Sequence, residues 1–186
     1  MYYFWCDSCI NTNDDAIANI KEKITELEVS INESKQNLTS AHQQLAEVVD
    51  EMRFAYPEEL GNINEYEYCY KQFQASVNAI KLYEIMESFK ERLRRDYRKF
   101  PEEVFEKIMK HSKKLKQRSD LKQSEVENVT CDKPENINEK DVINLENSIT
   151  NYQSASVYLN IFSTQNNYLI DLKKKLENLV KKHSEE

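Results

Sequence analysis

Two cysteines near the N-terminus have a spacing that occurs in redox and metal sites. Cys6 and Cys9 are separated by two residues, in a chain of 186 residues with four cysteines and three histidines. A zinc site needs two further ligands, and thioredoxin-type chemistry needs a βαβ setting. Cys69, Cys131 and every histidine stand alone in the sequence. We therefore expect ordinary thiols, with a disulfide or a metal shared at an oligomer interface as the alternatives.

The three histidines do not form a pattern typical of a catalytic site. His42 falls within a helical repeat, His111 lies among lysines, and His183 is close to the last residue. No serine, cysteine or carboxylate near them completes a triad. The single glycine leaves no phosphate-binding loop and no dinucleotide fingerprint. We expect no enzyme activity, no cofactor, no metal and no small-molecule substrate.

The most concentrated charge is a basic segment in an otherwise acidic chain. The net charge is −7, yet residues 90–122 contain 13 basic and 6 acidic residues. Such a cluster can bind the phosphates of nucleic acid or of an acidic membrane. We favour the alternative that it lies beside the acidic first helix and balances its charge, within one chain or between protomers, and keep anion binding as the second hypothesis. The residues that would bind the anion are Arg92, Arg94, Arg95, Arg98, Lys110, Lys113 and Lys114.

Four consecutive aromatic residues open the chain, within a tail of residues 1–13. A solvated tail would gain nothing from them, so we expect them to dock on a surface. They either cap the end of the helical bundle or bind a partner; an interfacial membrane anchor is the third alternative. These residues are Tyr2, Tyr3, Phe4 and Trp5.

A long apolar repeat indicates the element that would carry these groups. Apolar residues recur every three or four positions from Ile17 to Ala55, and Ser34 is the only polar residue among them. More than five such heptads are typical of a coiled-coil seam. The residues that we expect to form a partner-binding seam are Ile17, Ile20, Ile24, Leu27, Ile31, Leu38, Leu45 and Val48.

Similar spacing predicts a second long helix, a short third one and a last helix of about 40 residues. One glycine and three prolines exclude turn-rich folds. We predict an all-α fold, an elongated antiparallel helical bundle or coiled coil of three long helices and one short helix. The expected divisions are a helical hairpin plus a short basic helix at 14–122, a polar loop at 123–138, and a long C-terminal helix at 139–183.

The corner between the first two helices is predicted at Pro57–Gly61, and we expect the hairpin to depend on it. The long seams favour a non-enzymatic interaction or scaffold protein, a subunit of a helical complex formed with protein partners or by self-association. Binding of nucleic acid or an acidic membrane is the less favoured alternative. No apolar run is long enough to span a bilayer and no signal peptide is recognised, so we expect a cytoplasmic protein.

Overall fold

The first helix follows directly from the apolar repeat. The computed structural model describes residues 13–97 and 101–185, apart from the side chain of His183. Helix α1 (Asn13–Ala55) has acidic residues in its first turn and Arg53 in its last, as the helix dipole favours. It contains no glycine or proline, and its 43 residues span roughly 65 Å at 1.5 Å per residue.

Proline, and not glycine, makes the corner after α1. A single 3₁₀ turn (Pro57–Glu59) begins with proline and leads directly into α2 (Leu60–Asp96). Gly61 is the second residue of α2 and does not adopt a positive φ. A Cβ built on it meets nothing within 4 Å. The corner therefore lies at Pro57–Gly61 as predicted, but Gly61 does not make the reversal, because the backbone there is ordinary helix.

The third helix is longer than the sequence indicates. Helix α3 (Glu102–Asn128) continues past Lys122, so the polar segment before the last helix begins at residue 129 instead of 123. Glu125 holds this extra turn through an ion pair with Lys122 and a hydrogen bond from Ser76 of α2. Polar composition alone does not end a helix that can pair its side chains across neighbouring turns.

The last helix, α4 (Glu139–Ser184), starts where the sequence predicts. The Asn138 side chain accepts a hydrogen bond from the Lys140 backbone N–H at 3.0 Å, so Asn138 is the N-cap. The described residues form four α-helices and no strand, so the all-α prediction is confirmed.

Helix α4 lies between α1 and α2 and is the main partner of α1. The start of α1 shares an apolar cluster with the ends of α2 and α4, so α1 runs antiparallel to both. Helices α1 and α2 meet only near their ends. The structure differs here from the expected hairpin, in which α1 and α2 pair directly. Helix α3 packs chiefly on α2, and also on α4.

The core divides into two clusters separated by small and polar residues. The corner cluster comprises Leu45, Val49, Met52, Ile63, Tyr66, Ile137, Val142, Leu145 and Ile149. The far cluster, at the other end, contains 17 buried residues, among them Ile20, Leu93, Val104 and Leu172. Between the two, buried positions are occupied by Ser34, Ser76 and Asn78.

A disulfide joins the segment before α4 to α2. Cys69 and Cys131 are 62 residues apart, and their Cα atoms are separated by 5.8 Å. Both are half-buried, and Cys131 packs against the corner cluster. The expectation of ordinary thiols is therefore wrong for this pair, because only the return of the chain after α3 brings them together.

Several sequence predictions lie outside the described residues. They are the docking tail of Tyr2, Tyr3, Phe4 and Trp5, the pair Cys6 and Cys9, and Arg98. Among the residues that are described, no helix is long and apolar enough to cross a membrane.

Candidate interaction groove

The separation of α1 from α2 leaves a groove above α4, here called the α1–α2 groove. At the far end, the Tyr97 hydroxyl donates a hydrogen bond to Asn19 Oδ1 at 2.9 Å. In the same place, Lys23 Nζ lies 3.9 Å from Asp96 Oδ2, an ion pair. At the corner end, Arg53 donates to Asn64 at 2.9 Å. Between these bridges, no hydrogen bond or ion pair joins α1 to α2 within the described part of the chain. The groove is thus closed at both ends and open in the middle.

A cavity of about 420 Å³, here called the central cavity, lies at the middle of α1 and is lined by residues of α1 and α4. Its floor carries Tyr158 and Phe162, whose rings stack with centroids 6.0 Å apart. Lys81 of α2 lies 4.7 Å from the Tyr158 ring, a cation–π contact. Small residues of both helices, among them Ser34 and Ala41 of α1 and Ser154 and Ala155 of α4, line the cavity beside the rings. Two partly accessible rings next to small residues can receive an apolar side chain.

Two smaller cavities extend the groove in both directions. The one towards the far cluster, of about 280 Å³, is lined by Leu27, Phe89 and Leu169 and shares Ser30 with the central cavity. The one towards the corner, of about 250 Å³, is lined by Tyr152 of α4 and by residues of α1 and α2. From Tyr152 to Leu169 the floor of the groove covers roughly 25 Å of α4 at 1.5 Å per residue.

The expected partner-binding seam of α1 is occupied within the chain. Three of its members are buried, namely Ile17, Ile20 and Leu45. Three pack against the two clusters while partly exposed, namely Ile24, Leu27 and Val48. The last two, Ile31 and Leu38, are half-buried. The six residues that belong to the clusters hold α1 against its neighbouring helices, and of all eight only Leu27 and Leu45 also line the groove.

The structure separates the predicted anion-binding residues into two groups. Arg94 lies over the Phe105 ring at 5.2 Å, and Arg95 pairs with Asp96 at 3.4 Å. Arg92 lines the far end of the groove. Among the described members of the predicted set, Lys110, Lys113 and Lys114 form one exposed group on α3, and no ion pair to a described residue holds them.

Charge balance with the first helix does not account for the bases of α3. Helix α3 contacts α2 and α4, and the described residues show no contact between it and α1. Within one chain this part of the basic segment therefore does not lie beside α1, and its pairing with α1 of another protomer stays a prediction. Arg92 of α2 and Glu26 of α1 both line the far end of the α1–α2 groove, so charge balance within the chain fits α2 better.

The shifted ionisable groups bridge helices. Burial, followed by the nearby Lys114, lowers the pKa of His111, whose ring contacts the Tyr168 hydroxyl. Burial raises the pKa of Tyr168 to about 12. Burial and then Asp96 raise the pKa of Tyr97 to about 12. Each of these pKa shifts favours the neutral form of the side chain, as is expected where burial between packed helices disfavours charge.

The Tyr66 hydroxyl donates a hydrogen bond to Glu146, and its pKa is raised by burial first and then by this bond. It joins α2 to α4 in the same way that Tyr97 joins α2 to α1. No group of three potential metal ligands occurs among the described residues.

The comparisons place the chain in a family. A family model described as "Protein of unknown function (DUF3091)" matches residues 86–185, more than half of the chain. The chain belongs to this family. No curated protein and no solved structure matches it. The matched region contains the end of α2, all of α3 and α4, and therefore the whole floor of the groove.

The groove is not among the features predicted from the sequence, although the apolar repeats contain one signal of it. The apolar repeat of α4 is interrupted between Tyr152 and Leu159 by a run that contains Ser154, Ala155 and Ser156. Small residues at core-facing positions leave space between helices. The same gap occurs in α1 at Ser34.

Proposed function

We propose that the protein is a non-enzymatic helical interaction protein that receives one helix of a protein partner in the α1–α2 groove. The observation that supports the proposal is the central cavity, where the Tyr158 and Phe162 rings of α4 lie beside small residues of α1, next to the middle of the groove, in which α1 and α2 do not meet. A slot between two helices above a third is the setting in which amphipathic helices bind. The roughly 25 Å floor would accommodate about four turns of a helix.

The lining defines the chemistry of the partner helix. Tyr158 and Phe162 offer apolar contact at the centre, and small residues allow a close approach of the two backbones. Charges of both signs stand at the far end, where Lys23, Arg92 and Asp96 line the cavity. The fitting partner has an apolar stripe at i, i+3, i+4 and i+7 and mixed charge beside it.

A photo-crosslinking pair tests the proposal. A photoreactive residue replaces Ser30, which lines the groove, or Ser40, which is exposed on α1 outside it. We expect adducts to one protein from position 30 and none from position 40. Mass spectrometry of the crosslinked peptides should identify a helical segment. Equal adducts from both positions, or none from position 30, would contradict the proposal, and adducts to a second copy would assign the groove to self-association.

A matched pair of substitutions completes the test. Ser30→Leu fills the groove and should weaken binding of the identified partner at least about tenfold, because a bulky side chain blocks an otherwise complementary surface. Ser40→Leu should leave binding unchanged. Circular dichroism checks that both variants keep their helices.

The exposed bases of α3 favour a second candidate, binding to an anionic surface. Lys110, Lys113 and Lys114 have no ion pair within the described residues and do not lie beside α1. Charge reversal at these three lysines should abolish binding to duplex DNA, single strands or acidic liposomes at low salt, without loss of helicity. If the unmodified protein binds none of the three, this candidate fails.

The disulfide bears on the compartment. A cytoplasmic location stays a prediction from the sequence, and Cys69–Cys131 weighs against it, because reducing compartments keep thiols reduced. We therefore favour an oxidising compartment. Alkylation without reductant, applied to the protein from its own cells, should leave Cys69 unlabelled; a labelled Cys69 would restore the cytoplasmic prediction.

A further inference from the structure

The chain contains three copies of the sequence pattern at which sugars are attached to asparagine. The pattern is Asn-X-Ser/Thr with X other than proline, and it begins at Asn32, Asn37 and Asn128. It has meaning only in a secretory compartment, where the sugar transferase acts. The Cys69–Cys131 disulfide supports such a compartment, because reducing compartments keep thiols reduced. Sugar attachment thus requires the oxidising compartment proposed above, and it is independent of the α1–α2 groove.

Two of the three patterns lie in the middle of helix α1, which is uninterrupted there. Ser34, the hydroxyl residue of the pattern that begins at Asn32, is only 6% exposed. Asn37 lines the central cavity. A glycan is bulky and polar and needs a surface position. Neither place suits one, because the first pattern is partly buried and a glycan at the second would stand in the cavity.

The third pattern lies where a helix gives way to an extended segment. Asn128 is the last residue of α3, and Val129 has extended backbone angles (φ −87°, ψ 127°). All three residues of the pattern, 128–130, are exposed, and residues 129–134 have no regular secondary structure. Surface segments of this kind accept bulky additions without loss of packing. Asn128 is therefore the acceptor that the fold presents to solvent.

The side-chain amide of Asn128 has a hydrogen to spare. Its Nδ2 donates one hydrogen bond to the backbone carbonyl of Ser124 at 2.8 Å. Because an amide nitrogen carries two hydrogens, a sugar can replace one of them while the other keeps this bond. The attachment therefore costs the protein no hydrogen bond.

Exposed apolar side chains lie beside this acceptor. Val129 follows it directly and is 40% exposed. Leu121, at 69% exposure, lies seven residues before Asn128 and so on the same face of α3, roughly 10 Å away at 1.5 Å per residue. A glycan at Asn128 would shield apolar surface that is otherwise open to water.

We propose that Asn128, and not Asn37, carries an N-linked glycan. The co-reactant is an oligosaccharide joined through a diphosphate to a membrane lipid. Asn128 Nδ2 forms a bond to the anomeric carbon of the first sugar and gives up one proton to a base of the transferase. The bond between that carbon and the diphosphate oxygen breaks, and the lipid diphosphate leaves with its electron pair. The glycan stands on α3, whose described residues do not contact α1, and leaves the α1–α2 groove open.

Mass spectrometry of the protein from its own cells tests the proposal. Enzymatic removal of N-linked glycans in water enriched in heavy oxygen converts each modified asparagine into an isotope-labelled aspartate. We expect the isotope at position 128 and none at position 37. An unlabelled Asn128, or equal labelling at all three patterns, would overturn the proposal. If Cys69 resists alkylation while Asn128 is unmodified, the glycan alone is refuted, whereas an alkylated Cys69 refutes the compartment as well.

A matched pair of substitutions at the hydroxyl residue shows whether the pattern itself directs the modification. Thr130→Ala keeps Asn128 but removes the hydroxyl, so the glycan should be lost, whereas Thr130→Ser keeps the pattern and should keep the glycan. Thr130 is exposed, so both variants should keep their helices, which circular dichroism checks. The gel shift on glycan removal should disappear only in Thr130→Ala. A shift that persists in Thr130→Ala would overturn the assignment to Asn128.

Discussion

The corner cluster and the far cluster hold the same helix α4 by different means. At the corner, nine buried residues are accompanied by the Cys69–Cys131 disulfide and by hydrogen bonds from Tyr56 to Asp141, at 2.6 Å, and from Tyr66 to Glu146. At the far end, 17 buried residues from all four helices pack together. No disulfide is present there among the described residues.

The difference follows from the number of helices at each end. Helix α3 adds Val104, Ile108 and Leu115 to the far cluster, whereas at the corner its place is taken by the loop before α4. A loop buries less apolar surface than a helix face, so the smaller cluster gains most from a covalent link. We therefore expect apolar burial to contribute most of the stability at the far cluster, and the disulfide to contribute most at the corner cluster.

The largest expected effect comes from removal of the crosslink. Cys131→Ser should lower the free energy of unfolding by about 4 kcal/mol in the chain-entropy model for a loop of 62 residues. Hydrogen exchange should rise around the corner cluster and stay slow at the far cluster. Urea unfolding measures the loss of free energy. Cys69→Ser should cause the same loss as Cys131→Ser, and the double variant should lose no more than either single variant. An equal rise of hydrogen exchange at both clusters would refute the comparison.

A buried leucine tests the far end. Leu172 is fully buried in the far cluster, and Leu172→Ala should lower the free energy of unfolding by about 3 kcal/mol through lost burial and a cavity. Leu179→Ala, on the same helix at 36% exposure, is the matched control and should cost less than about 1 kcal/mol. Equal losses in urea unfolding would mean that packing does not hold this end.

The smallest effect has the opposite sign and lies at the corner. Gly61→Ala should raise the free energy of unfolding by about 0.5 kcal/mol, because the residue is helical and a Cβ has open space. Thermal unfolding at equal protein concentration measures it, with Pro57→Ala as the destabilising counterpart. A loss of stability in Gly61→Ala would show that the corner needs the glycine after all.

Local signals in the sequence were sufficient for the helices. The repeat of α1, the proline at position 57 and the Asn138 cap each act within a few residues, and each has the predicted structure. Helix pairing could not be predicted, because apolar stripes on α1, α2 and α4 are equally able to pair. The Cys69–Cys131 bond and the α1–α2 groove depend on that pairing and were out of reach for the same reason.

The central place of α4 has a consequence for biosynthesis. Helix α1 is made first, yet its partner helix begins only at Glu139, so its apolar stripe stays uncovered while more than 80 residues are added. Contacts between distant parts of a chain form late and leave apolar surface open to aggregation. The nascent chain is therefore most exposed to chaperones, or to a premature partner, until the ribosome has released its last helix.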